Sequence, residues 1–137
     1  MGIAKIPFLN SIILQHFKKN TMIQIYHNPR CGKSRTCLAF VDQSNQEYEI
    51  IPYLTETPSF EELKKLIGKL NLKPIELVRT KEKIWIENYK EKILTDSEII
   101  QAMIENPILI ERPIVIKDGK AIIGRDMEKV ASFLEGI

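Results

Sequence analysis

The sequence predicts an α/β fold in which a β-α-β unit and a β-β-α unit share one sheet and a helical subdomain is inserted between them. Three observations lead to this prediction. Two strand-like stretches flank a helix-like segment in the first 52 residues. Helical patterns then fill residues 59–105, and an Asp-Gly hairpin with a final amphipathic segment follows them. A chain of 137 residues has the right size for one domain of this kind.

The β-α-β unit is predicted from residues 23–52. Residues 23–26 alternate apolar and polar side chains, as a half-buried strand does. Asn28-Pro29 then forms a turn, because proline fixes its own φ and keeps the preceding residue out of the α region. Leu38, Phe40 and Val41 give the next segment the apolar side of a helix. A turn at residues 44–45 connects this helix to a second strand at residues 47–52.

The helical subdomain is predicted first from capping signals. Ser59 and Glu62 form a capping box before apolar residues that recur at i, i+3, i+4 and i+7, and Asn71 ends that helix. Thr95 and Glu98 form a second capping box, which begins a helix that ends before residue 107.

Two further helices are predicted between these capping boxes. Pro74 suits the first turn of a short helix that runs to residue 78. A longer helix is predicted over residues 81–92, where Trp85 and Tyr89 are four residues apart and share one face. We expect both aromatic side chains to belong to the core of the subdomain.

The β-β-α unit is predicted from a hairpin and a capped helix. Asp118-Gly119 lies between two apolar runs and is a dipeptide that a type I′ turn requires. Asp126 can cap the last helix. This element order is that of a thioredoxin-like domain, and Pro113 stands where that fold places a cis-proline beside its active cysteine. The sequence leaves the isomer open, because only about 5–6% of X–Pro bonds are cis.

Composition and charge argue against a disulfide framework and against a nucleic-acid partner. Two cysteines suit a reducing cytoplasm, which is the expected location. The first 21 residues hold three lysines and no acid, so the rest of the chain has 17 basic and 18 acidic side chains and no basic stripe. We expect residues 1–21 to be a disordered or expression-derived extension, too short to span a bilayer, and no membrane partner is expected. A peripheral amphipathic anchor is the alternative interpretation.

The segment from His27 to Arg35 places a cysteine at the predicted start of a helix. Unpaired N–H groups in the first helical turn and the positive end of the helix dipole favour a thiolate at Cys31. Lys33 and Arg35 add positive charge. A two-unit fall from a pKa of ~8.5 raises the thiolate fraction at pH 7 from ~3% to ~75%. These features predict a nucleophilic or redox cysteine rather than a buried, inert one.

Residues 22–135 resemble the glutaredoxin-dependent arsenate reductase family, in a wider group that also contains Spx-type transcription regulators. The resemblance rests on His27-Asn28-Pro29-x-Cys31-x-x-Ser34-Arg35, on Arg79 in Leu77-Val78-Arg79, on Arg112-Pro113-Ile114-Val115 and on Arg125 in Gly124-Arg125. It implies a thioredoxin fold and arsenate reductase activity through Cys31. It also implies that no cofactor or metal is bound and that glutathione and glutaredoxin are the reductants.

The resemblance assigns the oxyanion to three arginines. It implies that Arg79, Arg112 and Arg125 hold arsenate, and backbone N–H groups at Gly32 and Lys33 can add an anion-binding helix start. A thiolate that attacks a negatively charged oxyanion meets repulsion, which guanidinium groups cancel with planar, directional donors. Alternatively, each arginine is a solvated surface charge, and the Arg125 side chain has an acidic neighbour at position 126.

His27 and Ser34 are candidates for stabilising the thiolate. His27 either acts on the thiolate or orients the loop, and a structural hydrogen bond to the loop backbone is the alternative. The Ser34 hydroxyl can bond the sulfur, with capping or back-bonding in the helix as the alternative. Glu111 is expected to point away from its neighbour Arg112 if this segment is extended.

Cys37 is predicted to be a packed, inert thiol. A resolving cysteine must come within about 7 Å of Cys31 between Cα atoms. Six helical residues advance roughly 9 Å along the axis and turn about 120° away. An external thiol is therefore expected to resolve the reaction. Ser34 occupies the place of the second sulfur in a C-x-x-C pair, which argues against an ordinary dithiol oxidoreductase.

Two alternative functions remain open. The first is a thiol transferase that acts on glutathione adducts with the same fold. The second is a non-enzymatic Spx-like regulator that binds RNA polymerase. Members of that type usually carry a second cysteine at the position of Ser34, which counts against this alternative.

Overall fold

The computed structural model describes residues 22–136, so the predicted extension at 1–21 lies outside the described residues. The described chain forms two compact units. The first contains residues 22–52 and 112–136, and the second contains Tyr53–Glu111. Within this range no helix is long and apolar enough to cross a membrane.

The elements follow one another in nearly the predicted order. The first unit begins with β1 (Ile23–Tyr26), α1 (Gly32–Gln43) and β2 (Tyr48–Ile51). The second unit contains α2 (Phe60–Leu70), a 3₁₀ helix (Pro74–Leu77), α3 (Lys83–Asn88), α4 (Asp96–Glu105) and a second 3₁₀ helix (Pro107–Leu109). The chain then returns to the first unit with β3 (Ile114–Lys117), β4 (Lys120–Ile123) and α5 (Met127–Leu134).

The four strands form one mixed sheet in the order β2-β1-β3-β4. β1 pairs in parallel with β2, as a strand pair connected by a crossover helix requires. β3 pairs antiparallel with both β1 and β4. The predicted combination of a β-α-β unit and a β-β-α unit in one sheet is confirmed.

The core of the first unit lies between the sheet and its helices. Ile23 and Ile25 are fully buried from β1, which fits the alternation seen in the sequence. Cys37 and Val41 contribute the buried side of α1. The full cluster of buried residues is Ile23, Ile25, Cys37, Val41, Tyr48, Val115, Val130 and Leu134.

The capping signals of the second unit are confirmed. Ser59 with Glu62 and Thr95 with Glu98 each form a complete capping box, in which both reciprocal hydrogen bonds are present. Asn71 ends α2 in the left-handed conformation, with φ of 58°. The buried side chains of the α2 and α4 helices include Leu63, Leu66, Ile67, Ile99, Ile100 and Met103.

The predicted helix over residues 81–92 is wrong in its extent, because α3 covers only Lys83–Asn88. Glu82 is extended, with φ of −67° and ψ of 142°, and its carboxylate accepts a hydrogen bond from Arg79 instead of continuing a helix. Tyr89 leaves the helical region after Asn88. Trp85 is buried, as expected for a core residue, whereas Tyr89 is only half-buried, and the two rings stack at 5.3 Å between their centroids.

Three local turn signals are also confirmed. Asp118 and Gly119 have φ of 55° and 75°, as the two central residues of a type I′ turn must. Asn45 has a φ of 62° in the turn between α1 and β2. Asp126 caps α5 by accepting hydrogen bonds from two backbone N–H groups. The Arg112–Pro113 peptide bond is cis.

Gly124 lies where α1 and the end of the hairpin pack most closely. A Cβ added at this position would be 2.8 Å from the Cys37 Sγ and 3.1 Å from a Val115 methyl carbon. Only a residue without a side chain therefore fits between these two groups. The sulfur of Cys37 fills the other side of this contact, which gives the second cysteine a packing role.

We expect Gly124→Ala to destabilise the protein by about 1–3 kcal/mol, because overpacking a tight core forces neighbouring groups to shift. Gly68→Ala is the matched control, since a Cβ there has nothing within 4 Å and alanine favours the helix interior by about 0.5–1 kcal/mol. Urea unfolding measures both changes. Adding Cys37→Ala to Gly124→Ala should recover part of the loss, and equal stability of the two single variants would contradict the packing argument.

Candidate active site

The Cys31 loop is built by backbone hydrogen bonds around Asn28. The Cys31 N–H donates to the Asn28 carbonyl at 3.0 Å, and the Arg30 N–H donates to the Asn28 side-chain oxygen at 2.9 Å. Asn28 is only 2% exposed, so this turn is fixed inside the unit. Cys31 follows in an extended conformation, with φ of −98° and ψ of 123°, and is the N-cap residue of α1. The predicted cysteine at a helix start is confirmed.

The Cys31 thiol is set up to ionise near neutral pH. Partial burial raises its pKa, but hydrogen bonds from the Ser34 backbone, the Arg112 side chain and the Lys33 backbone outweigh this effect. The positive charge of Arg112 acts in the same direction, and together these effects lower the pKa of Cys31 to about 7. Two of these groups belong to the first turn of α1, which contains no acidic residue. The helix start and one arginine therefore provide the thiolate stabilisation.

Arg112 is the arginine that contacts the sulfur. Its side chain is 8% exposed, which is rare for an arginine unless the group is paired. It comes from the segment directly before β3, and β3 lies next to β1 in the sheet. Because β1 leads into the Cys31 loop, the antiparallel pairing of the two strands brings this guanidinium to the start of α1.

His27 contacts the Cys31 loop through a hydrogen bond, and its ring carries little positive charge. Its Nδ1 and the Ser34 Oγ lie 2.7 Å apart and share a buried hydrogen bond. Burial and the positive charge of Arg35 lower the pKa of His27 below its ordinary value of 6.5, so the ring is neutral at pH 7. The ring nevertheless holds the first turn of α1 against the end of β1.

Ser34 contributes through its backbone. Its hydroxyl shares the hydrogen bond with His27 and also accepts the Asn28 N–H at 3.0 Å, while its own N–H donates to the Cys31 sulfur. We expected the Ser34 hydroxyl to bond the sulfur. Its hydrogen bonds with the His27 ring and the Asn28 N–H instead fix the shape of the buried loop. Gly32 and Lys33 are exposed, and the Lys33 N–H is the second backbone donor to the sulfur.

Arg125 is in the same unit as Cys31 and Arg112. It directly follows the loop residue Gly124 after β4, and its side chain is exposed. Its Nη1 donates to the Arg112 carbonyl at 2.8 Å. The predicted group of Cys31, Arg112 and Arg125 therefore shares one compact unit, and its two arginines are directly connected.

Arg79 belongs to the second unit, where two carboxylates hold it. Its Nε donates to Glu82 at 3.1 Å and its Nη1 donates to Glu111 at 2.9 Å. Burial lowers the pKa of Arg79, but the two carboxylates more than compensate and keep it charged. A guanidinium has five N–H donors, so these ion pairs leave donors for a further acceptor. Its predicted contact with an oxyanion stays a prediction.

Cys37 has the properties of an inert thiol. It is fully buried in the apolar core of the first unit, and burial raises its pKa to about 11. Both cysteines are free thiols, and Cys31 is the accessible one. The structure thus separates the two cysteines by their surroundings, as the helical spacing predicted.

Sequence reasoning missed the contacts that three residues make near the candidate groups. Asn28 was treated only as a turn former, although the turn chemistry of asparagine was a usable signal. Glu82 follows Arg79 by three residues, which is an ion-pair spacing that could have been recognised. Glu111 is 32 residues from Arg79, and no local pattern identifies that pair.

The described geometry suits a nucleophilic reaction with an anionic substrate. A partly exposed thiolate lies at a helix N-terminus, and a buried guanidinium contacts its sulfur. Positive charge at the nucleophile lowers the repulsion that an anion would meet. Among residues 22–136 no group of three or more histidine, cysteine or carboxylate side chains could hold a metal ion.

Comparisons with known proteins identify the family of the chain. The model of the ArsC family matches residues 26–133. The chain is 43% identical over 113 residues to the uncharacterized protein YfgD of Escherichia coli, covering 79% of this chain and 92% of that protein. It is 35% identical over 114 residues to an arsenate reductase of Neisseria meningitidis, covering 82% of this chain and 97% of that enzyme.

A solved structure is also similar to this chain. The arsenate reductase from Vibrio cholerae is 41% identical, with a TM-score of 0.77, and the match covers 82% of this chain and 97% of that one. The family match contains every candidate residue from His27 to Arg125. The predicted thioredoxin-like fold is confirmed, and the chain belongs to the ArsC family.

Proposed function

We propose that this protein is an arsenate reductase in which Cys31 attacks arsenate and a small external thiol completes the reduction. The observation that carries the proposal is the buried Arg112 guanidinium on the sulfur of a cysteine whose pKa is about 7. The arsenate reductases of Neisseria meningitidis and Vibrio cholerae, similar to this chain over about four fifths of its length, support the choice of arsenate.

The first step joins sulfur to arsenic. The Cys31 thiolate forms an S–As bond, and one As–O bond breaks with its oxygen leaving as water after it takes up protons. Arsenic stays in the +5 state in this step. Donors at the helix start and on Arg112 can stabilise the charge on the remaining oxygens, because they are already oriented before the reaction. Arg125 and Arg79 are proposed as the further oxyanion ligands.

The second step reduces arsenic with glutathione, which we propose as the co-substrate. Its thiolate attacks the Cys31 sulfur, arsenic takes up two electrons and leaves as arsenite, and Cys31 is left in a mixed disulfide with glutathione. Attack by a glutaredoxin thiol on that disulfide would regenerate the Cys31 thiolate. An external thiol is needed because Cys37 is buried with a raised pKa. Such thiols are abundant in a reducing cytoplasm, the proposed location.

One assay separates arsenate reduction from the alternatives. Arsenate, glutathione and glutaredoxin are supplied, and NADPH oxidation by glutathione reductase reports turnover. The proposal requires turnover that depends on both arsenate and this protein. A thiol transferase would turn over a glutathione mixed disulfide but not arsenate, and a non-enzymatic regulator would turn over neither. Either of these results would overturn the proposal.

We expect Cys31→Ser to abolish arsenate turnover, because a hydroxyl at this site has neither the acidity nor the nucleophilicity of the thiol. Cys37→Ala should retain most of the activity, since its sulfur is fully buried in the apolar core. Alanine is preferred over serine there because it adds no buried hydroxyl. The NADPH-coupled assay measures both variants, and equal loss in the two would contradict a single-cysteine mechanism.

We expect the alkylation rate of Cys31 by iodoacetamide to titrate with a pKa of about 7. The thiolate is the reactive form, so the rate is lost as the pH falls through this value and reaches its plateau above it. The Cys31→Ser protein is the control and should stay unreactive near pH 7, because burial raises the pKa of Cys37 to about 11. A titration near ~8.5, the value of a free cysteine, would remove the electrostatic argument.

We expect Arg112→Lys and Arg79→Lys each to lower kcat/KM for arsenate although the charge is kept. Lysine cannot reproduce the bidentate geometry of a guanidinium. Losing one charge-assisted contact costs about 1.5–3 kcal/mol, which corresponds to roughly 10- to 150-fold. Arg35→Lys is the matched control, because the Arg35 guanidinium donates to the Pro29 carbonyl at the surface. Wild-type kinetics in both test variants would rule out the oxyanion role.

A further inference from the structure

Arg112 and Arg125 lie at the two ends of the β3–β4 hairpin. Arg112 precedes β3 by two residues and Arg125 follows β4 by two residues, so the antiparallel pairing of the strands brings them side by side. The Gly124 N–H donates to the Pro113 carbonyl at 2.8 Å, which continues the ladder past the strand ends. One residue further out, the Arg125 Nη1 donates to the Arg112 carbonyl, also at 2.8 Å.

The two arginines have different surroundings. Arg112 is 8% exposed and its side chain contacts the Cys31 sulfur. Arg125 is exposed, and one of its N–H groups is directed to a main-chain oxygen. A hydrogen bond from a guanidinium to a backbone carbonyl fixes where that peptide lies. The Arg125 side chain therefore acts on the Arg112 backbone.

The placement of the Arg112 main chain determines where its guanidinium lies. Pro113 has no N–H group, so the position next to Arg112 cannot donate a ladder hydrogen bond. The guanidinium of Arg112 makes directional bonds, so its contact with the sulfur depends on the placement of its own main chain. The Arg125 side chain adds a hydrogen bond to the Arg112 carbonyl, beyond the last ladder bond between Gly124 and Pro113.

We propose that Arg125 is a positioning residue for Arg112, and that its guanidinium holds the Arg112 main chain so that the Arg112 side chain reaches the Cys31 sulfur before any oxyanion binds. This role is additional to the proposed contact of Arg125 with arsenate. The positioning role concerns the free enzyme, so it can be tested in the absence of substrate.

A double-mutant cycle on the full chain tests this role without arsenate. The pH dependence of Cys31 alkylation is measured in the wild type, Arg125→Met, Arg112→Met and the double variant. His27, Arg30, Lys33 and Arg35, the other titratable or charged side chains of the Cys31 loop and the first turn of α1, are unchanged in all four proteins. Lys129→Met, on the exposed side of α5, is the control for losing one positive charge from this unit.

Arg125→Met should shift the alkylation profile to higher pH, with a rate at pH 6 roughly three- to tenfold below that of the wild type. The same substitution should have no further effect in the Arg112→Met background, because the group that it positions is absent. Lys129→Met should leave the profile unchanged.

Two outcomes would overturn the proposal. An equal slowing in both backgrounds would mean that Arg125 acts on the sulfur directly through its charge. An unchanged profile in Arg125→Met would mean that Arg125 has no part in placing Arg112, even if arsenate turnover is lost. Arg125 is exposed, so the variants are expected to fold, and circular dichroism checks this. If Arg125→Met does not fold, Arg125→Lys is measured in both backgrounds in the same way.

Discussion

The candidate site of the first unit depends on one interaction, the stabilisation of a partly buried Cys31 sulfur as a thiolate. Burial favours the neutral thiol, so the sulfur needs hydrogen-bond donors that are in place before a substrate arrives. The Ser34 and Lys33 N–H groups meet this need only because Cys31 is extended as the N-cap of α1. The turn around Asn28 sets that conformation. A change in this turn would therefore act on the chemistry through the backbone.

The start of α1 and the Arg112 side chain must also be held in fixed positions relative to each other. α1 carries the backbone donors, whereas Arg112 comes from the segment directly before β3. The fully buried Cys37 and Val115 connect these two parts through the core, and Gly124 allows them to approach closely. The second cysteine thus serves the first by packing. Of the two cysteines, Cys37 belongs to the core, and Cys31 at the start of α1 is the accessible thiol.

Positive charge is distributed unevenly among the candidate residues. His27 is neutral at pH 7, so Arg112 is the charged side chain that bonds the sulfur. Arg79, in the second unit, has its charge balanced by Glu82 and Glu111. The net charge of a paired arginine is already compensated. It therefore binds an anion mainly through the fixed direction of its remaining N–H donors. The arginines named by the family resemblance therefore differ in their surroundings: Arg112 is buried, Arg125 is exposed and Arg79 is paired with two carboxylates.

The sequence by itself determined the features that depend on a few neighbouring residues. The capping boxes, the Asp118-Gly119 turn and the helix start at Cys31 were all predictable, because their hydrogen bonds join residues no more than about four positions apart. Only the tertiary structure decided which partners the functional side chains have. The Ser34 hydroxyl bonds His27 because the buried turn at residues 28–31 brings the first turn of α1 back to the end of β1. Arg125 bonds the Arg112 carbonyl because the pairing of β3 with β4 brings these two residues side by side. Side-chain partners across the sheet follow from packing, which no local pattern specifies.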